Sequence, residues 1–294
     1  MEGRQLHIDQ ITQIIRVIIL LSAFMIIRHF ILKSGNITDE SYNEITAELL
    51  TKISIAPVYG LSESINNDHV FNILSALNLP SQIKERITVD LTENGVFIHE
   101  LSAVFNDDPD YWILIDKNNS LSSDYEPHDL VVMESNHLLR GAAYEALNEI
   151  INAAAKEGYT LTVISAYRSF DLQEKIYAHW AAKIGQIEAD RVSARPGRSQ
   201  HQLGLAVDFN MLNNSFAETP EGLWLAANAN LYGWSLSYPD GYESVTGYIW
   251  ESWHYRYVGK KLTQFINKYF NGIQQYALMF IHEFNRNYKL GNSR

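Results

Sequence analysis

The longest apolar stretch of the chain runs from Ile11 to Leu32, around a charge-free centre at Val17–Ile27. A helix that crosses a bilayer needs about 20 mostly apolar residues, so this pattern predicts an N-terminal membrane anchor over residues 1–34. A cleaved signal peptide and a buried core helix are the alternatives, although bulky and basic residues follow where a cleavage site needs small ones. The acidic side chains after Ser34 favour an extracytoplasmic position for the rest of the chain.

Residues 35–108 form an accessory region to which the sequence assigns no function. Apolar residues at helical spacing predict a helix at Val70–Leu79, which stops before a proline. An Asn-Gly pair beginning at Asn94 lies between two short runs, Thr88–Leu91 and Gly95–His99, and therefore predicts a hairpin.

Over residues 109–262, helical and strand-like patterns are mixed without strict alternation. Residues 263–294 are rich in aromatic residues at helical spacing, which predicts a C-terminal amphipathic helix. Within 109–262 we predict helices at Leu138–Lys156 and Leu172–Ile184, and strands at Trp112–Ile115, Thr160–Ala166, Gly204–Phe209 and Ile249–Val258. The prediction is an α+β fold, with a small mixed or antiparallel sheet and flanking helices. The C-terminal helix is expected to pack on the accessory region or a dimer partner, with membrane-surface association as the alternative.

Composition narrows the function classes. The chain has 294 residues, of which 46% are hydrophobic and 19% charged, so wholesale disorder is excluded. A formal net charge of −11 argues against non-specific nucleic-acid binding, because phosphate contacts need clustered lysine and arginine. The absence of cysteine excludes disulfides, thiol nucleophiles and cysteine-based zinc sites.

Candidate chemistry lies in three separated polar segments, Ser165–Ser169, Ser199–Asp208 and Glu251–His254. If Leu203–Phe209 is a strand, the side chain of Asp208 shares a face with two very small residues, which lets a ligand or another segment approach closely. A buried carboxylate must be paired or coordinated, because burying it alone costs several kcal/mol.

The other polar residues suit a metal hydrolase. His201 and His254, together with Asp208, make a neutral-imidazole and carboxylate set that suits Zn²⁺ and leaves one coordination position for water. Glu251 is the candidate general base, provided that the chain turns between it and His254, and Arg168 is the candidate for holding an anionic substrate or a developing oxyanion. Each residue also has a structural explanation as a cap, a core group or a rim charge, so spacing alone leaves the metal hydrolase as one hypothesis.

The same segments resemble the VanY-type D-alanyl-D-alanine carboxypeptidases, a family of zinc peptidases. The family pattern S-x-H-x-x-G-x-A-x-D matches Ser199–Asp208, and E-x-x-H with tryptophan before the histidine matches Glu251–His254. The element S-x-Y-R-S matches Ser165–Ser169. The resemblance covers roughly residues 111–262, about half of the chain.

The resemblance implies a zinc-dependent D,D-carboxypeptidase that removes the C-terminal D-Ala from a peptidoglycan stem peptide or precursor. The implied zinc ligands are His201, Asp208 and His254. It further implies that Glu251 is the catalytic base, that Arg168 polarises the scissile carbonyl, and that Gln173 and Ser199 contact the substrate. The apolar run within residues 1–34 adds an expected location at the cell membrane, with one spanning segment and an extracytoplasmic catalytic domain over residues 109–262.

Two positions depart from the family pattern, which is expected to carry histidine at 198 and glutamate at 200. This chain has Arg198 and Gln200 instead. Neither is an implied ligand, so the departures bear on substrate preference rather than on the chemistry. The alternatives on the same scaffold are an L,D-carboxypeptidase or peptidoglycan endopeptidase, and a catalytically silent wall-binding module.

Overall fold

The computed structural model describes residues 65–288. Its helices and strands follow one another as α1 (Asn67–Ala76), α2 (Ser81–Glu93), α3 (Val96–Phe105), α4 (Pro109–Trp112), β1 (Leu130–Val132), β2 (Leu138–Arg140), α5 (Gly141–Lys156), β3 (Val163–Ser165), α6 (Phe170–Ile184), α7 (Gln186–Val192), β4 (Ala206–Phe209), α8 (Pro220–Asn228), β5 (Trp234–Leu236), α9 (Glu243–Thr246), β6 (His254–Tyr257), α10 (Gly259–Tyr269) and α11 (Gln274–Tyr288). Short 3₁₀ turns lie at Gln200–Leu203, Asn214–Glu218 and Ala229–Tyr232.

The strands form two small antiparallel sheets, which confirms the α+β prediction for this part of the chain. One sheet has four strands in the order β3-β4-β6-β5, and the other is the β1-β2 pair. In the larger sheet Ser165 pairs with Asp208 and Asp208 pairs with His254. All four residues of β4 are buried, because strands flank it on both sides and helices cover the sheet.

Two apolar clusters stabilise the described residues. The first lies between the larger sheet and α5, whose Leu147 and Ile150 are fully buried. The second joins helices α1, α2 and α3 of the accessory region to α10 and α11. Phe97 of α3 and Phe280 of α11 contact edge to face in its centre, with ring centroids 5.7 Å apart. The C-terminal segment therefore packs on the accessory region, as expected.

That segment is two helices and not the single helix predicted over 263–294. The first, α10, already begins at Gly259, and the chain turns before Gln274. Asn271 (φ 55°) and Gly272 (φ 76°) both adopt left-handed backbone conformations, which an α-helix cannot continue through. The helical spacing of the aromatic residues survives the break, which is why the sequence pattern did not reveal it.

The hairpin predicted around Asn94 is wrong, because α2 and α3 occupy both of its arms. Ile83, Ile87 and Leu91 recur at helical spacing and are buried, so α2 gains more apolar contact than a short strand offers. Gly95 has a φ of 67° and ends α2 through a backbone bond to Asp90. The residue pair that favours a hairpin turn here terminates a helix.

The strand predicted at Trp112–Ile115 is also wrong. Pro109–Trp112 is a short helix whose first turn is capped by Asp108, and the residues after it join no sheet. The guanidinium of Arg256 donates to the backbone carbonyls of Asp110, Tyr111 and Ile113 at 2.9–3.2 Å. Carbonyls bonded to this buried side chain are not available to pair with a strand.

The remaining predicted elements are present with shifted ends. The first residues of the helix predicted from Leu138 form β2, and the helix itself starts at Gly141. The predicted helix at Val70–Leu79 is α1, which ends at Ala76 because Leu77 is already extended. None of the helices between residues 65 and 288 is long and apolar enough to cross a bilayer. The N-terminal anchor predicted over 1–34 lies outside the described residues.

Candidate metal centre and active site

Three predicted ligands converge at the middle of the larger sheet. One ligand atom from each of His201, Asp208 and His254 lies within 4.8 Å of the others. Nε2 of His201 is 3.2 Å from Oδ2 of Asp208, and Nδ1 of His254 is 3.0 Å from Oδ1 of the same carboxylate. All three side chains are buried. The geometry brings two imidazoles to one carboxylate, as the sequence predicted.

The antiparallel register of β4 and β6 places Asp208 directly opposite His254. His201 lies in the 3₁₀ turn before β4, so Leu203–Phe209 is not one continuous strand as expected. Gly204 ends that turn in a left-handed conformation with a φ of 64°. A Cβ atom there would lie 2.8 Å from Cδ2 of Leu130, so glycine satisfies both the backbone and the packing.

The backbone near Gly204 is bonded to a buried arginine that pairs with three partly exposed carboxylates. Arg140, only 4% exposed, contacts the carboxylates of Asp108, Asp110 and Asp129 at 2.7–2.9 Å. Its backbone N–H also donates to the carbonyl of Gly204 at 2.9 Å. Arg140 therefore joins the turn that carries His201 to three carboxylates of other segments.

In each histidine one ring nitrogen faces the Asp208 carboxylate, and the other ring nitrogen contacts an oxygen atom behind the ring. Nδ1 of His201 is 2.6 Å from the carbonyl oxygen of Ala166, and Nε2 of His254 is 3.2 Å from Oε1 of Gln200. Acceptors behind the rings select the tautomers that present the other nitrogen to a metal. Burial and the nearby Arg168 lower the pKa of His201 to about 4, so its imidazole is neutral at pH 7. The residues therefore fit a divalent metal ion.

Asp208 is ionised despite its burial. Burial alone raises the pKa of a carboxyl group, but the two histidines overcome it and hold the pKa of Asp208 well below its usual range. Nη2 of Arg168 lies 2.6 Å from Oδ2 of Asp208. A charged carboxylate is the form of Asp208 that metal binding requires.

Glu251 lies in the turn that leads into β6. The backbone N–H of His254 bonds to the Glu251 carbonyl at 3.2 Å, so the chain turns here, as one common site for both residues requires. Oε2 of Glu251 is 3.8 Å from Nδ1 of His254. Burial and the charge of Asp208 raise the pKa of Glu251 to about 8, although Arg168 opposes the rise. A carboxyl group with this pKa can exchange a proton near neutral pH.

These groups line a cleft of about 510 Å³. Arg168, Ser199 and Glu251 border it beside the three candidate ligands, and one wall is apolar, formed by Ile176, Trp180, Ile184, Val192 and Ile249. The guanidinium of Arg168 also donates to Oγ of Ser165 at 2.9 Å, which orients its planar group toward the carboxylate of Asp208. A molecule entering the cleft therefore meets the histidines, the carboxyl group of Glu251 and the Arg168 cation together.

The two predicted substrate contacts differ in position. Ser199 borders the cleft, and its hydroxyl also accepts the backbone N–H of His201 at 3.3 Å. Gln173 is buried behind Arg168, where its amide donates to the carbonyl of Ala194 at 2.7 Å and its oxygen lies 3.5 Å from Nη1 of Arg168. Direct substrate contact by Gln173 stays a prediction, and its observed bonds support the position of Arg168.

Sequence reasoning missed other residues around His254. The ring of Tyr238 packs on the His254 imidazole, with centroids 4.8 Å apart, and Tyr238 also borders the cleft. Ser237 and Gln200 contact each other behind the same histidine at 2.7 Å. Tyr238 and Ser237 belong to no motif in the sequence. Gln200 was visible only as a departure from the expected glutamate.

A buried His-Asp-His cluster on an antiparallel sheet, beside a carboxylate and a cation, is the kind of site that metal-dependent hydrolases carry. The VanY family model, described as D-alanyl-D-alanine carboxypeptidase, matches residues 136–260. That range contains every candidate site residue.

Individual relatives agree with the family match. The chain is 38% identical to the putative carboxypeptidase YodJ of Bacillus subtilis over 168 residues, which is 52% of this chain and 62% of that protein. The LdcB LD-carboxypeptidase structure has a TM-score of 0.52 and 36% identity, covering 56% of this chain and 83% of that one. A zinc-bound VanY variant from the VanB-type vancomycin-resistance cassette has a TM-score of 0.51 and 28% identity, covering 58% and 99%.

The chain therefore belongs to the VanY-type D-alanyl-D-alanine carboxypeptidase family, whose named members are hydrolases. It spans 62%, 40% and 58% of the length of three curated relatives, YodJ and two enterococcal D-alanyl-D-alanine carboxypeptidases.

Proposed function

We propose that this protein is a zinc-dependent D,D-carboxypeptidase that removes the C-terminal D-Ala from peptidoglycan stem peptides. The observation that carries the proposal is the buried cluster of His201, Asp208 and His254, with Glu251 beside it in one cleft. Two D-alanyl-D-alanine carboxypeptidases of Enterococcus, 33% and 31% identical to this chain, support the substrate class.

Zn²⁺ is the metal that this donor set favours, because two neutral imidazoles and one carboxylate leave a position open for water. His201, Asp208 and His254 would hold it. When bound, zinc supplies a positive charge that lowers the pKa of a water molecule and polarises a carbonyl group. The zinc-bound VanY neighbour is consistent with this choice.

Glu251 acts as the general base in this proposal. Its carboxylate takes the proton from the attacking water and returns it to the amine that leaves as D-Ala. The apolar wall of the cleft and the burial of Glu251 favour this proton exchange, since they keep bulk water away from the carboxyl group. No covalent acyl-enzyme is needed, so a β-lactam finds no nucleophile to trap.

Arg168 is assigned to the carbonyl oxygen of the scissile bond. In the structure its Nη2 contacts Asp208, and only 19% of its side chain is exposed, so the guanidinium is already directed at the reaction centre. A fixed cation there stabilises the negative charge that develops on the oxygen. Ser199, at the edge of the same cleft, is assigned to the substrate backbone.

An L,D-carboxypeptidase activity is the second candidate, and the 36% identity with the LdcB LD-carboxypeptidase favours it. The two activities cut stem peptides of different length and stereochemistry with the same machinery. We further propose that the catalytic region lies outside the cell membrane, tethered through residues 1–34, because their apolar run has the length of a bilayer span.

One experiment tests the proposal. The purified full chain is analysed for bound metal, then incubated with a synthetic stem pentapeptide ending in D-Ala-D-Ala and with the matching tetrapeptide. The proposal expects about one zinc per chain and loss of one alanine mass from the pentapeptide, abolished by a chelator and restored by Zn²⁺. Cleavage of the tetrapeptide alone would favour the L,D activity, and zinc-loaded protein that cleaves neither peptide would refute both.

A further inference from the structure

A chain of buried side-chain amides lies behind His254. Oε1 of Gln200 is 3.2 Å from Nε2 of His254 and accepts the hydroxyl of Ser237 at 2.7 Å. Nε2 of Gln200 donates to Oε1 of Gln274, the first residue of α11, at 3.4 Å. Gln200 and Gln274 are 2% and 1% exposed, so neither has solvent as a substitute partner.

The direction of each bond in this chain follows from one backbone carbonyl. Nε2 of Gln274 donates to the carbonyl oxygen of Ser235 at 3.3 Å, and a carbonyl only accepts. The oxygen of the Gln274 amide therefore faces Gln200, which must present its NH₂ group there. The oxygen of the Gln200 amide is then directed at His254, so Nε2 of His254 must be the donor.

We propose that Gln200 and Gln274 are positioning residues that hold His254 in its Nε2–H tautomer, so that Nδ1 offers its lone pair to the metal ion. We call the series Ser235, Gln274, Gln200 and His254 the amide relay. The inference rests on the proposed zinc site and adds to it a connection from the C-terminal helix α11 to one ligand.

A carboxylate at position 200 would not complete the relay. It accepts hydrogen bonds but has no N–H to donate to Oε1 of Gln274. Oε1 of Gln274 would then face a second acceptor, with the Ser237 hydroxyl at 3.4 Å as its remaining donor. Glutamine in place of the expected glutamate at position 200 therefore suits Gln274, the residue of α11 that lies opposite it.

The neighbouring Gln275 provides a matched control. It is also a buried amide of α11, 5% exposed, and donates to Oδ2 of Asp116 at 3.0 Å. Asp116 accepts further bonds from its own loop and does not contact His254. Replacing Gln275 by methionine removes one buried amide of equal size without touching the amide relay.

The test is zinc affinity of the full chain, measured by competition with a chromogenic chelator and without substrate. Loss of a partner behind a metal ligand typically weakens binding about 10–100-fold, so Gln200→Met is expected in that range and Gln274→Met about 10-fold. The double variant is expected to be no weaker than Gln200→Met, because the two amides act in series. Gln275→Met is expected to bind zinc like the unmodified chain.

Spectra of the Co²⁺-loaded chain supply a second readout. The visible absorption bands are expected to shift in Gln200→Met and Gln274→Met, and to stay unchanged in Gln275→Met. Equal zinc affinities and spectra for Gln274→Met and Gln275→Met would overturn the amide relay, as would additive losses in the double variant. If Gln200→Met does not fold, the comparison of Gln274→Met with Gln275→Met decides alone. An unmodified chain that binds no zinc would instead overturn the proposed function.

Discussion

Replacing Glu251 by glutamine is expected to change activity and stability in opposite directions. Glutamine keeps the size of the side chain but cannot take a proton from water. Loss of a positioned general base typically costs about 10²–10⁴-fold in rate, so kcat should fall by that factor. Zinc content should be unchanged, because Glu251 is not one of the three candidate ligands.

The stability change follows from the pKa of the same carboxyl group, which is raised from 4.5 to about 8. The folded state thus binds this proton more tightly than the unfolded state does. Tighter proton binding at Glu251 stabilises the folded state fully below about pH 4.5, and this stabilisation is lost as the pH rises through about 8. At about 1.4 kcal/mol for each pKa unit, the loss reaches at most about 5 kcal/mol above pH 8.

Glu251→Gln removes this loss, because its amide is neutral at every pH. In chelator-treated protein the variant should be more stable than the unmodified chain at pH 9, with the difference shrinking toward pH 5. Urea unfolding at several pH values measures the difference, and Glu174→Gln, an exposed change on α6, is the control expected to show none. Near-normal turnover would refute the catalytic role, and a pH-independent stability difference would refute the assignment of the raised pKa.

Three other substitutions test neighbouring conclusions. Arg168→Lys keeps the charge but not the planar group, so kcat should fall about 100-fold with zinc retained; unchanged kinetics would exclude Arg168 from the reaction. Phe280→Ala, at a fully buried ring of α11, should cost about 3–5 kcal/mol in urea unfolding; a loss below about 1 kcal/mol would show that α11 adds little to the fold. Gly204→Ala should cost about 1–3 kcal/mol and weaken zinc binding, because it strains the turn that holds His201; full stability would mean that the turn adjusts freely.

The candidate site residues could be picked out from the sequence because they lie in short segments with local patterns. Two small residues, Gly204 and Ala206, precede Asp208 at alternate positions, and this pattern indicated a carboxylate that other groups approach, although only Ala206 lies in the strand with Asp208. Glu251 and His254 are close in sequence, so only one turn was needed to bring them together. The α+β class likewise follows from the mixture of helical and strand periods.

The errors arose where one local pattern is compatible with two structures. The residues around Asn94 suit both a hairpin and a helix end, and burial of Ile87 and Leu91 in the second apolar cluster favours the helix. Trp112–Ile115 has strand-like composition, but the guanidinium of Arg256, more than 140 residues away, takes one of its backbone carbonyls. Neither competing contact is visible in the segment itself.

The sequence thus indicates which residues are able to do the chemistry, because helix and strand patterns can be recognised within a few residues. Packing between distant segments establishes which groups hold them in place. Gln200 and Gln274 are 74 residues apart, and they meet behind His254 only because the first residue of α11 lies beside β5. Such a contact forms only when the whole core folds, and the free energy of folding is a property of the whole chain that no single segment of the sequence shows.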